Sequence, residues 1–248
     1  MKIITHAVIA KSNIKFIDEA KADLYITASK KVIEKWIAKI DFKIEENRKQ
    51  KYYFMQNNDD FASGTFLYNH CMLSTVKSIY LIFQYIKNDE GEKAWMSLID
   101  AYDYLDVAKL FLDKYKLHSE GFAPFMDNLK QLEKLLFPTH HLFISPGAKE
   151  TLGDCSVCGN SFFGCEHIER EIYNGILCQR INRRIIEANH VALVENPRDR
   201  RCIIVNIKDT DGRELNIFSR ERTISSNEKS DHMIMNVILH NFQRPNFN

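Results

Sequence analysis

Residues 155–167 read CSVCGNSFFGCEH, and this stretch decides how the rest of the chain divides. Cys155 and Cys158 are separated by two residues, and Cys165 and His167 follow after a six-residue spacer. Tetrahedral Zn2+ takes four nitrogen or sulfur ligands at about 2.0 to 2.3 Å, and a two-residue spacer lets one tight turn offer both thiolates to the same ion. Gly159 follows Cys158 where such a turn favours a residue that tolerates positive φ. On an extended Cys165-Glu166-His167 segment the two ligands face one side and Glu166 the other. The spacing predicts one zinc ion per chain, held by Cys155, Cys158, Cys165 and His167. Four protein ligands leave no open position, so the zinc is expected to be structural. A nucleobase-deaminase site would need an H-x-E upstream of a P-C-x-x-C, and here both order and spacing differ. Cys178, in YNGILC, is the next thiol and an alternative ligand. Six cysteines in a long chain of this composition read as thiolates rather than disulfides.

Outward from the cluster the chain changes composition. Arg48 is the only arginine before Arg170, whereas eleven arginines fall between Arg170 and Arg244. Lysine runs the other way, with only Lys208 and Lys229 after Lys149. The shift coincides with FPTHHLFISPGAKETLGD, whose prolines, glycines and polar residues read as a connector. The expected division is a helical bundle over 1–138, a linker over 139–153, a zinc knuckle and β module over 154–222, and a polar tail with a C-terminal helix over 223–248. The fold class expected is therefore α+β. At 248 residues, 45% hydrophobic and 27% charged, the chain can bury one large core or two smaller ones. A net charge of +1 excludes a strong global field for polyanions, leaving only local patches. The start of the chain lacks the apolar region of a secretory leader, and no apolar run reaches a membrane span, so the cytoplasm is the default location.

Before the connector the apolar period is helical. It runs through Ile14, Ile17, Leu24, Ile33, Trp36, Ile37 and Ile40, which predicts one long helix or two nearly collinear ones over 13–51. Further helices are predicted over 61–87, 92–115 and 124–137, with Pro124 in the first turn of the last. Short loops between them imply an antiparallel bundle. On the third, Asp100, Asp103 and Asp106 recur every three residues. The stripe reads as a solvated face, with a Mg2+ site of a metal-dependent nuclease as a distant third reading. His70 beside Cys71 is no catalytic dyad, because neighbouring helical residues point about 100° apart. His140 and His141 follow a helix end and are minor candidates for extra ligands.

The combination of EKLLFP, SPG and CSVCGNSFFGCEHIEREIYNGILC resembles a group of prokaryotic proteins sharing C-x2-C, C-x-H and Y-x-G-x-x-C, over roughly Trp95 to Cys178. The resemblance implies no established activity. It implies an accessory role in a multi-component or defence assembly, by analogy alone. The pattern expects a glycine where this chain has Arg170, so the first turn after His167 is expected to differ.

After the cluster the period shortens to that of strands, predicted over 190–195, 201–208 and 213–218, with Asp211-Gly212 as a hairpin turn. Residues 232–242 read as a short amphipathic helix free to dock on the protein or a partner. Arg180, Arg183, Arg184, Arg198, Arg200 and Arg201 cluster around turns, and with Phe162 and Phe163 they are candidate contacts for nucleic acid or a protein partner. From Thr151 onward thirteen basic residues face thirteen acidic ones, which argues against a wide basic surface. The sequence therefore favours a non-enzymatic accessory or adaptor subunit with a structural zinc, over a nucleic-acid-binding effector.

Overall fold

Five helices precede a set of antiparallel strands, in a computed structural model that describes residues 6–26, 29–137, 143–224, 232, 234–237, 245 and 247. The helices are α1 (His6–Ile26), α2 (Lys30–Gln56), α3 (Asp60–Lys87), α4 (Gly91–Lys114) and α5 (Phe122–Leu136). The first two are not collinear. Ser29 is extended at φ −73 and ψ 142, and its hydroxyl accepts the Val32 N–H at 3.4 Å, which starts a new helix there. Trp36 Nε1 donates to Asp23 Oδ2 at 2.7 Å, although residues thirteen apart on one helix would be about 20 Å apart. The chain must therefore fold back between them.

Helix α3 is the centre of the bundle, with α2 and α4 as its main neighbours. Phe66, Leu67, Cys71, Leu73, Val76, Tyr80 and Ile82 are all buried and fall on more than one face, as expected of a helix surrounded by others. His70 is half-buried and meets the edge of the Tyr104 ring, so it plays a packing part. Burial pushes the Cys71 thiol well above its ordinary range, which keeps it neutral and inert. No helix among the described residues is long and apolar enough to cross a membrane.

The strands begin earlier than the sequence suggests. β1 (Phe143–Glu150) lies inside the expected linker and pairs antiparallel with β6 (Ile185–Val194), from Phe143 opposite Val194 to Glu150 opposite Ile185. Pro146 and Gly147 look like punctuation, yet a two-stranded ribbon, bridged beyond β6 only near Phe143 among the described residues, accommodates both with a shift of register after Gly147. Between these strands lie β2 (Asp154–Cys155), β3 (Ile172–Tyr173), β4 (Ile176–Leu177) and β5 (Arg180–Ile181), pairing β2 with β5 and β3 with β4. A four-stranded sheet follows in the order β10-β7-β8-β9, from β7 (Ile204–Lys208), β8 (Arg213–Asn216), β9 (Arg222–Ile224) and β10 (Ile234–Val237). The predicted hairpin holds: Gly212 has φ +77 and its N–H donates to Asp209 O at 3.1 Å. The C-terminal helix is corrected. Residues 234–237 are a strand beside β7, and a short apolar run such as MIMNVIL has no period that separates the two. The remainder of that predicted helix, like His140 and His141, lies largely outside the described residues.

Helices and strands share one core. Trp95 of α4 meets Phe137, Phe143 and Phe218 at ring distances of 5.3, 6.3 and 6.4 Å, and its Nε1 donates to Arg200 O at 2.9 Å. Ile172, Leu177 and Ile203 belong to the same buried cluster. The β3–β4 hairpin fixes the docking. Its two-residue turn is Asn174-Gly175, with φ of 46 and 74, the geometry an Asn-Gly hairpin favours. Asp60 Oδ1 accepts the Asn174 N–H at 2.6 Å, and Asn174 Nδ2 donates to Met55 O at 2.9 Å. A Cβ on Gly175 would stand 2.8 Å from Ser63 O and 2.9 Å from Ser63 Cβ. Gly175→Ala is therefore expected to destabilise the protein by about 3 kcal/mol, from left-handed strain and overpacking together. An unchanged denaturant midpoint would mean that the hairpin is not seated on α3.

Candidate metal centre and the neighbouring cleft

The knuckle forms because its backbone closes on itself. Gly159 takes φ +73, its N–H donates to Cys155 O at 2.8 Å, and the Cys155 N–H donates to Asn160 O at 2.8 Å. The Val157 amide points at Cys155 Sγ, 3.4 Å away. Cys165 and His167 repeat the device on the opposite side, with the His167 N–H 3.2 Å from Cys165 Sγ. Cys158 Sγ lies 3.6 Å from Cys165 Sγ, and His167 Nδ1 lies 3.1 Å from the latter. The four ligand atoms of Cys155, Cys158, Cys165 and His167 all fall within 4.8 Å of one another. Zn–S bonds of about 2.3 Å in a tetrahedron imply sulfur separations of about 3.8 Å. The donor set therefore suits one metal ion, and Glu166 is exposed on the far side, as the alternation predicts.

The thiols themselves favour a cation. Burial opposes ionisation of Cys155, but the amides of Cys158 and Val157 outweigh it and bring the thiol down to about 7. Burial, and then the Cys155 sulfur, push Cys165 up to about 11 and Cys178 up to about 12. One sulfur ionises readily and its neighbours then resist, a conflict that a bound dication removes. Cys178 is fully buried with its Sγ 3.8 Å from that of Cys155, and it is not one of the four atoms that lie mutually close.

Arg170 keeps the turn that a glycine would be expected to make. It sits at φ +75, with the Glu171 N–H donating to Ile168 O at 3.1 Å, and its own N–H donates to Cys178 O at 2.8 Å. Its guanidinium reaches Asp106 Oδ2 at 2.8 Å. Left-handed strain of about 1–2 kcal/mol exceeds the few tenths that an exposed ion pair contributes. Arg170→Gly is thus expected to stabilise the protein by about 1 kcal/mol in a denaturant melt. A loss of stability would show that the Asp106 pair dominates.

The aspartate stripe is partly solvated, as expected, with the Asp106 side chain 45% exposed, but Asp100 and Asp103 are held by a buried cation. Arg201, 3% exposed, donates to Asp100 Oδ1, to Asp103 Oδ2 at 2.8 Å and to Asp199 Oδ1 at 3.2 Å. The place a Mg2+ ion would need is filled by a fixed guanidinium. Arg200 also turns inward, pairing with Glu133 and lying 5.2 Å from the Trp95 ring centroid and 5.4 Å from that of Tyr102. The remaining candidates stand around Glu150 at the end of β1. Its Oε1 accepts from Arg183 at 3.3 Å and lies 3.8 Å from Arg180 and from Arg198. Arg184 and Arg198 are exposed, Phe162 is half-buried, and Phe163 is 87% exposed at the knuckle surface. Between α4, the knuckle and the turn at Pro197 these arginines border a cavity of about 780 Å³. The sequence placed these arginines at turns but gave no sign that Glu150 and α4 would complete the wall.

No protein-family model, curated protein or solved structure matches the chain.

Proposed function

We propose that the chain is a non-enzymatic accessory or adaptor subunit whose metal is a structural zinc. The observation that carries this reading is the closed donor set: three sulfurs and one imidazole nitrogen lie within 4.8 Å of one another, so the protein supplies every ligand of a tetrahedral ion. A zinc so enclosed has no position for water or substrate. It fixes the knuckle, and the knuckle presents Phe163 and Ile168, 87% and 65% exposed, on its outer surface. Two large apolar side chains held outward on a rigid loop suit a protein partner. The resemblance of residues 95–178 to a group of prokaryotic proteins without an assigned activity favours, by analogy alone, a place in a multi-protein or defence assembly.

Elemental analysis combined with X-ray absorption tests the reading. The expected result is about one zinc per chain, coordinated by three sulfurs and one nitrogen. Coordinated water, or a hydrolytic activity that disappears with the metal, would overturn it. A Phe163→Ala, Ile168→Ala double variant should retain its zinc and its melting temperature.

A further inference from the structure

We propose that the cleft between α4 and the knuckle binds a compact polyphosphate carried on an apolar moiety, the chemistry of a nucleoside di- or triphosphate. At about 780 Å³ the cavity falls within the range of roughly 300–1,000 Å³ typical of small-molecule sites. Arg170, Arg200 and Arg201 are matched by Asp106, Glu133, Asp100, Asp103 and Asp199, which leaves Arg180, Arg183, Arg184 and Arg198 against Glu150 and Glu169 at one end of the lining, a local excess of positive charge. The excess is concentrated. Arg183 donates to Oε1 of Glu150 at 3.3 Å, Arg180 and Arg198 stand 3.8 Å from the same oxygen, and Arg180 also donates to Glu169 at 3.2 Å, so three guanidinium groups crowd around one carboxylate as they would around a bound anion. Planar guanidinium forks match phosphate oxygens in pairs, and a phosphate group offers more charge and more acceptors than one carboxylate.

Crowding of like charge is visible at Arg183. Burial first, and then the positive charges of Arg180 and Arg198, hold its guanidinium below its ordinary pKa against the pull of Glu150. An added anion relieves that pressure. The lining also has an apolar part, in which Leu110 of α4 is half-buried and Ile181 is 40% exposed while Ile99, Val107 and Leu177 are buried. A ligand that fits both parts must carry several negative charges at one end and an apolar or aromatic surface at the other. Depth decides between a small ligand and a strand of nucleic acid. The side chains of Arg180 and Arg183 are only 16% and 15% exposed, so a molecule small enough to enter reaches them, whereas a strand tracking the surface needs protruding cations.

Calorimetry on the zinc-loaded full chain at physiological salt tests the site with four probes: ATP, inorganic tripolyphosphate, adenosine and a short oligothymidylate. ATP is expected to bind in the micromolar range, tripolyphosphate more weakly, and adenosine far more weakly than either. Arg198→Ala, which changes an exposed side chain, should weaken ATP and tripolyphosphate by roughly fivefold. Glu150→Gln should tighten both, because it removes the competing carboxylate; a merely structural role for Glu150 would not produce tighter binding. Absence of binding by both phosphate probes would overturn the proposal, as would equal affinities for ATP and tripolyphosphate, which would leave the apolar part idle. Displacement of ATP by lower concentrations of oligothymidylate would overturn it in favour of a nucleic-acid groove. The site stands apart from the adaptor reading, since a chain that ignores phosphate can still keep its zinc and its partner.

Discussion

Cys165→Ser, or treatment with a strong chelator, is expected to unfold residues 154–181 while α2, α3 and α4 stay folded. Structural zinc contributes an apparent 10 kcal/mol or more in small metal modules, more than the seat of the β3–β4 hairpin on α3 supplies to this segment. Its strands are two residues long, and most of its side chains are exposed or half-buried. The buried exceptions, Cys155, Ile172, Gly175, Leu177 and Cys178, bury too little apolar area to hold a loop of this length. The bundle has its own support in Phe66, Leu73, Tyr80, Trp95 and Leu105. Hydrogen exchange read by mass spectrometry separates the two outcomes. Protection should vanish over 154–181 and persist over 60–114, and returning zinc to the chelated protein should restore it. Unchanged protection in the metal-free protein would show that the knuckle is held by packing instead.

The features legible in the sequence are those whose determinants are local. All four ligand candidates fall within thirteen residues, so spacing alone assembled the donor set. The long helices were legible because apolar residues recur at helical spacing along α3, α4 and α5. The break between α1 and α2 was not, since one Ser29 cap interrupts an apolar period that otherwise continues across it. β1 was hidden by Pro146-Gly147, whose usual meaning is a turn and whose tolerance here depends on a ribbon edge. The Asn174-Gly175 hairpin was available as an Asn-Gly signal flanked by Ile-Tyr and Ile-Leu, but what it docks against, Asp60 and Ser63, lies more than a hundred residues away. The ion pairs of the aspartate stripe were illegible for the same reason. A helix face looks solvated until its distant counter-ions are known.

Arg201→Met is expected to destabilise the protein by about 3–5 kcal/mol, the range found when one partner of a buried ion pair is removed. Burial opposes the charge of Arg201, but Asp103, Asp100 and Asp199 more than compensate, so its pKa stands above the ordinary arginine value. Removing the guanidinium leaves three carboxylates facing one another at the seam between α4 and the turn before β7. The loss should appear as a fall of roughly 10 °C in melting temperature for a chain of this length. Methionine roughly preserves the volume of the side chain, so a cavity contributes little to the change. A cycle with Asp100→Asn and Asp103→Asn isolates the charge effect. In the Arg201→Met background those substitutions should recover part of the loss, whereas in the wild-type background each should be destabilising. Zinc content should stay at one per chain throughout, because none of the ligands touches Arg201 in the hydrogen bonds of the site. Additive effects across the cycle would instead mean that the three pairs do not act together. The seam would then be held by Trp95 and its aromatic neighbours alone, and the recurrence of aspartates along α4 would have no structural consequence.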